Sequence, residues 1–150
     1  MSRAVAEAKL ASDIERYGWH CLHVAPGVGE EGAHFTYTIG LAKTLGHPEL
    51  AIFGMDRDTA HAILSTCVTD IRAGTKYPRD TPVAGVVRGD WLVQFRKVRA
   101  DCIDQWFGTA ARYYDGAPFE VLIMFWQSKG RLFPWESEES SIQREALDVV

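Results

Sequence analysis

The sequence predicts a single α+β domain built on a mostly antiparallel sheet of about six strands, with two or three helices packed on it. Three observations support this prediction. The chain has 150 residues, of which 47% are hydrophobic, enough for one substantial core. Segments with a period of two residues alternate with segments of helical period. The strand segments also come in pairs joined by short loops, which favours antiparallel pairing.

Three segments carry a helical pattern. The first covers about residues 3–17 and ends at Gly18, a typical C-terminal cap. The second follows a capping aspartate, Asp56 or Asp58, and ends at Gly74. The third begins near Asp101, and its apolar positions repeat every three to four residues. Each helix therefore has one apolar face, and we expect all of them to pack on one face of the sheet.

Short apolar or alternating segments predict the strands. The clearest is 34–41, in which aromatic and aliphatic residues alternate with histidine, threonine and glycine. A glycine-first pair, Gly89-Asp90, predicts a tight hairpin between two later strands. The predicted strands are 19–25, 34–41, 49–54, 82–88, 91–98 and 119–126, followed by a short extended piece near 130–135.

Composition and charge restrict the classes of function. The formal net charge is −4, and the best basic cluster falls within one predicted hairpin, so we expect no nucleic-acid partner. No apolar run is long enough to span a membrane, and we expect no membrane association. The three cysteines are widely spaced, which indicates free thiols and a cytoplasmic location. Residues 1–136 are predicted to form the domain, and 137–150 an acidic, serine-rich C-terminal tail.

A ligand site is predicted on the polar side of the 34–41 strand. His34, Thr36 and Thr38 share that side and present small polar groups. Tyr37 and the rigid segment around Trp135 and Glu136 would supply aromatic walls and a carboxylate, the usual form of a small-molecule site. The competing interpretation is that Trp135 only seals the edge of the core.

The turn His47-Pro48-Glu49 offers a candidate acid–base pair. Proline stiffens the turn and holds the imidazole near the carboxylate. Histidine titrates near neutral pH, and a neighbouring carboxylate tunes it, so the pair suits proton transfer. The alternative is a structural turn in which His47 or Glu49 binds backbone groups.

Two further motifs carry less weight. Cys21, His23 and His34 would lie on neighbouring strands, but without a repeated ligand spacing we predict no metal site. The glycines of 27–32 spell a dinucleotide fingerprint, but a strand follows them where the fingerprint needs a helix. The sequence therefore identifies no cofactor.

Several segments together resemble a bacterial family known as domain of unknown function 4262. The resemblance covers about residues 14–136 and brings no known activity with it. It rests on five stretches in the family's order: Gly18-Trp19, 35–41, 46–50, Phe53-Gly54 and 130–136.

Three functional hypotheses stay open on the sequence. The first is a binding module for a small molecule in an aromatic and polar cleft. The second is a protein-interaction or regulatory module, including a homodimer, that uses the C-terminal tail. The third is an enzyme in which His47 and Glu49 act as acid and base.

Overall fold

The computed structural model describes residues 2–29, 32, 34–137 and 142–150. The strands are β1 (His20–Val24), β2 (Phe35–Ile39), β3 (Glu49–Phe53), β4 (Pro82–Val83), β5 (Val93–Lys97) and β6 (Val121–Trp126). The α-helices are α1 (Arg3–Tyr17), α2 (Leu41–Thr44), α3 (Arg57–Arg72), α4 (Ile103–Trp106) and α5 (Gly108–Tyr114). Short 3₁₀ turns span Ala100–Cys102, Pro134–Glu136 and Arg144–Asp148.

The six strands form one mixed sheet in the order β1-β2-β3-β6-β5-β4. Over the described residues, β3 and β6 pair in parallel, and every other neighbouring pair is antiparallel. The parallel pair requires a long crossover, which contains α3, β4, β5, α4 and α5. The predicted α+β class with a mostly antiparallel, six-stranded sheet is therefore confirmed, but the described residues form five α-helices where two or three were expected.

Both faces of the sheet are covered, so the expectation of helices on one face is wrong. Strand residues alternate between two separate apolar clusters. One cluster joins Phe35, Ala51 and Ile123 of the sheet to α1, α5 and the C-terminal segment. The other joins Leu50, Ile52 and Leu122 of the sheet to the apolar side of α3. Because the central strands are apolar on both sides, each face needs its own cover.

Three local predictions are also corrected. β4 is only two residues long, and residues 84–92 form a loop where a tight hairpin was expected. The helix expected after Asp101 is interrupted at Phe107, which has φ −123° and ψ 41°. The Phe107 side chain is fully buried and meets the Tyr37 ring edge-on at 4.9 Å. The interruption therefore coincides with a core aromatic ring, while the Phe107 N–H still donates to the carbonyl of Ile103 at 2.8 Å.

The C-terminal segment packs on the domain. Ala146 and Val149 are buried in the core, and the backbone N–H of Arg99 donates to the carbonyl of Val149 at 2.8 Å. The side chain of Gln143 bonds both backbone groups of Trp126, at 2.9 and 3.0 Å. It thereby continues the hydrogen bonding of β6 beyond the end of β3. Residues 138–141 of the predicted tail lie outside the described residues.

None of the helices in the described part of the chain combines the length and the apolarity needed to cross a bilayer.

Candidate functional site

The predicted polar side of β2 is closed. Thr36 and Thr38 are both fully buried. The Thr36 hydroxyl bonds Nδ1 of His23 at 2.7 Å. The Thr38 hydroxyl donates to Oε1 of Glu49 at 2.8 Å and accepts from the backbone N–H of Leu50 at 3.0 Å. Both hydroxyls are therefore already hydrogen-bonded to groups inside the protein.

The predicted aromatic walls lie on the other side of the sheet. Tyr37 is buried beneath α5, and burial raises the pKa of its hydroxyl to about 12. Trp135 stacks on Phe133 at 4.8 Å and carries the guanidinium of Arg96 at 3.6 Å from its ring. Glu136 accepts from the backbone N–H of Phe133 at 2.9 Å. The structure does not bring these groups to the threonines, because neighbouring residues of a strand point to opposite faces.

His34 lies beside His23, with 5.2 Å between the ring centroids. Nδ1 of His34 is buried and has no hydrogen-bond partner among the described residues. Cys21 lies on the same strand as His23, and burial raises the pKa of its thiol to about 11. The thiol is therefore protonated at neutral pH, and in that form it is a poor nucleophile. Over the described residues, no group of three histidine, cysteine or acidic side chains is arranged to hold a metal.

Glu49 is a fully buried carboxylate surrounded by donors. Backbone N–H groups of the first turn of α2, from residues 40–42, donate to it at 3.1 to 3.2 Å. The hydroxyls of Thr38 and Tyr114 donate as well. Burial raises the pKa of Glu49, and the hydrogen bonds from Tyr114 and Thr38 oppose that shift. This carboxylate connects β2, β3, α2 and α5.

His47 is also buried, and both of its ring nitrogens are bonded to backbone. Nδ1 lies 2.8 Å from the carbonyl oxygen of Pro48, and Nε2 accepts from the N–H of Tyr77 at 3.2 Å. This arrangement requires the neutral ring with its proton on Nδ1. Burial lowers the pKa of His47, and the nearby charge of Lys76 lowers it further. His47 and Glu49 thus bind separate sets of backbone groups.

Stability is expected to fall in mild acid because of His47. Above the ordinary histidine pKa of about 6.5, the ring is neutral in both the folded and the unfolded state. Below it, the unfolded chain takes up a proton that the folded ring resists, so the free energy of unfolding decreases. Urea unfolding from pH 8 to pH 5 tests this, and His47→Gln should flatten the profile. His23, whose pKa is lowered by burial, should keep part of the slope. An unchanged profile in His47→Gln would contradict the expectation.

An open cavity lies along α3 and is lined by none of the site residues predicted from the sequence. We call it the tryptophan cleft: a cavity of about 860 Å³ between α3, the 84–92 loop and the end of β6. Its apolar lining comes from Met55, Ala62, Ile63, Val86, Val87, Trp91 and Trp126. Its polar lining comes from Asp58, Thr59, Thr66, Arg88 and Gln127. Two indoles with polar groups at the rim make this cleft a candidate site for a small molecule.

Hydrogen bonds and charge hold the walls of the tryptophan cleft. The Arg131 guanidinium lies 4.1 Å from the Trp91 ring and is fixed by an ion pair with Asp90 at 2.7 Å. Gln127 accepts from the N–H of Leu92 at 2.9 Å and donates to the carbonyl of Arg131 at 2.9 Å. The 84–92 loop and the end of β6 are therefore joined before any ligand arrives.

Comparison with protein families gives a match that covers most of the chain. Residues 13–140 match the family described as Domain of unknown function (DUF4262). The chain belongs to the DUF4262 family. The resemblance drawn from the sequence is thereby confirmed. Curated proteins and solved structures provide no match to this DUF4262 domain.

Sequence reasoning missed the tryptophan cleft of the DUF4262 domain. Trp91 and Trp126 were assigned to strands, and 82–88 was expected to be a strand as well. One signal was present: Gly85 interrupts that segment, and an internal glycine is more typical of a loop than of a strand. The position of Trp126 depends on strand register, which was not predictable: Trp126 pairs with Val93 at the end of the β5–β6 ladder and there lines the cavity.

Proposed function

We propose that this DUF4262 domain binds a small molecule with a planar apolar body and a polar or anionic end, and that it does so in the tryptophan cleft. The observation that carries the proposal is the pairing of two half-buried indoles, Trp91 and Trp126, in one cavity of about 860 Å³. Sites of 300 to about 1,000 Å³ with mostly apolar walls and few polar groups are typical for such ligands.

The residues of the cleft favour this ligand class. Trp91 and Trp126 provide apolar area with little conformational entropy to lose on binding. Arg88 is exposed beside the cavity and supplies a positive charge for an anionic group. Gln127 is used by both of its amide ends within the wall, so it shapes the cleft and leaves ligand contacts to the others.

A dye that matches this chemistry tests the proposal. The probe is 8-anilinonaphthalene-1-sulfonate, which has aromatic rings and one sulfonate. We expect its fluorescence to rise on the folded protein, and Ala62→Trp to reduce that binding roughly tenfold or more because the new indole fills the cleft. Arg88→Gln should weaken binding less, since it removes only the charge.

The matched control is Thr69→Trp, which adds the same ring to an exposed position of α3 outside the cavity. It should bind the dye as the parent does. Equal binding by the parent and Ala62→Trp would contradict the site, and absence of binding by the parent would contradict the proposal. A thermal-shift screen against nucleotides, flavins and other metabolites then identifies the natural ligand class.

The other functional hypotheses from the sequence stay predictions. The acid–base role of His47 and Glu49 has no support from their contacts, since each binds backbone groups within the interior. The ligand contacts predicted for His34, Thr36, Tyr37, Thr38, Trp135 and Glu136 and the interaction module of 137–150 stay predictions. The tryptophan cleft is favoured because it is open, preformed and lined by suitable groups.

A further inference from the structure

A second cavity lies on the opposite flank of α3, against α1 and the start of β1. Its volume is about 830 Å³. Six side chains define its chemistry, and we call it the cationic pocket: Lys9, Asp13, Arg16, Trp19, His61 and Arg72. It shares no lining residue with the tryptophan cleft. Its polar lining contrasts with the indole walls of that cleft.

The charges of the cationic pocket do not cancel. Its single carboxylate, Asp13, is already bonded by Nζ of Lys9 at 2.9 Å and by Nδ1 of His20 at 2.8 Å. Arg16 and Arg72 form no ion pair with a carboxylate in the part of the chain that the structure describes. Two guanidinium groups therefore remain for an incoming anion, on a protein whose net charge is −4.

One of these guanidinium groups is held in place. Nη2 of Arg72 donates to the carbonyl oxygen of Tyr17 at the end of α1. That bond leaves other N–H groups of the same side chain to donate elsewhere, because a guanidinium has five donors. Arg16 lies in the last turn of α1, on the same rim. Planar, permanently charged arginines are the side chains best suited to phosphate oxygens.

An aromatic stack adjoins the arginines. The rings of Trp19 and His61 lie nearly parallel, with 6.0 Å between centroids and 23° between planes. The His61 side chain is exposed and lines the pocket, so a flat group entering beside the arginines meets this stack. Positive charge and a flat surface together favour a phosphorylated molecule over a simple carboxylate.

We propose that the cationic pocket is a second, independent binding site, for the diphosphate group of a small phosphorylated molecule. Arg16 and Arg72 bind the phosphate oxygens, and Trp19 with His61 forms the adjoining wall. This site lies outside the residues of the proposed function, so either assignment stands or fails alone. Each arginine contributes a charge-assisted hydrogen bond, whose loss weakens binding by roughly tenfold or more.

Titration with inorganic pyrophosphate at fixed ionic strength tests the assignment, read by calorimetry and by tryptophan fluorescence. The parent is expected to bind one pyrophosphate, and Arg16→Gln/Arg72→Gln to bind it at least tenfold more weakly. The control Arg79→Gln/Lys129→Gln also removes two positive charges, but from exposed positions outside the pocket. It should bind pyrophosphate as the parent does. Binding weakened equally by both double variants would show a general charge effect and overturn the site.

Arg72 also bonds the end of α1, so its loss could disturb the fold. Arg16→Gln alone, on an exposed position of the same rim, keeps the test decisive. It should weaken pyrophosphate binding several-fold while leaving the thermal midpoint unchanged. No detectable pyrophosphate binding by the parent, or unchanged binding in Arg16→Gln, overturns the proposal.

Discussion

Glu49→Ala is expected to lower the free energy of unfolding by about 3 kcal/mol or more. The substitution removes one buried acceptor and leaves three backbone N–H groups and two hydroxyls without it. Most of those donors cannot reach water, because Thr38, Gly40 and Leu41 are buried together with Glu49. Domains of this size have only about 5 to 15 kcal/mol in total, so the variant should be at the margin of folding.

Glu49→Gln tests the same network more gently. The shape is retained, but one carboxylate oxygen becomes an amide donor that faces other donors. We expect a loss of about 2 kcal/mol. The control is Glu120→Gln, an exposed carboxylate paired with Lys97 at 2.9 Å, for which the loss should stay below about 1 kcal/mol. Urea unfolding measures all three variants. A Glu49→Ala protein as stable as the parent would refute the structural role assigned to this carboxylate.

Gly54→Ala is expected to lower the free energy of unfolding by about 3 kcal/mol. Gly54 has φ +78°, and a Cβ there would lie 2.4 Å from the backbone oxygen of Ile142. The C-terminal segment must then move away, which separates Gln143 from the backbone of Trp126. Hydrogen exchange at the Trp126 amide should accelerate, giving a local reading beside the global one.

Gly46→Ala is the matched control for this prediction. Gly46 has φ +64°, and a Cβ there would meet nothing within 4 Å. The substitution should lower the free energy of unfolding by only about 1 kcal/mol, the cost of a left-handed backbone for alanine. It should leave hydrogen exchange at the Trp126 amide unchanged. Equal losses in the two variants would mean that the close approach of Ile142 has no energetic consequence.

Both glycines fall in stretches that supported the family resemblance from sequence alone. The 46–50 stretch contains Glu49, and Gly54 of the other stretch lies close to the backbone of Ile142. On the described contacts, these family stretches have structural functions: they cap α2, bind Tyr77 and seat the C-terminal segment. The stretches by which the family was recognised therefore belong to the structural framework of the domain. The two proposed ligand sites lie elsewhere, along α3.

The sequence by itself determined the elements with strong local signals. The first helix, the helix after Asp56, and the alternating strand near Phe35–Ile39 were predicted because capping residues and apolar periods are local properties. The family was recognised for a similar reason, since its stretches are contiguous. The interruption at Phe107 was not predictable, because it depends on a ring packed against Tyr37 from a distant strand.

Only the tertiary structure decided where the open sites are. The sequence assigned Thr38 to a ligand site and Glu49 to an acid–base pair, but folding brought each to the other and to the start of α2, where they satisfy buried donors. Trp91 and Trp126 are 35 positions apart and line one cavity because β5 and β6 pair in one register. Pattern along a chain shows which face a residue takes, whereas a cavity depends on what packs opposite that face. This second property is set by strand order and side-chain volume.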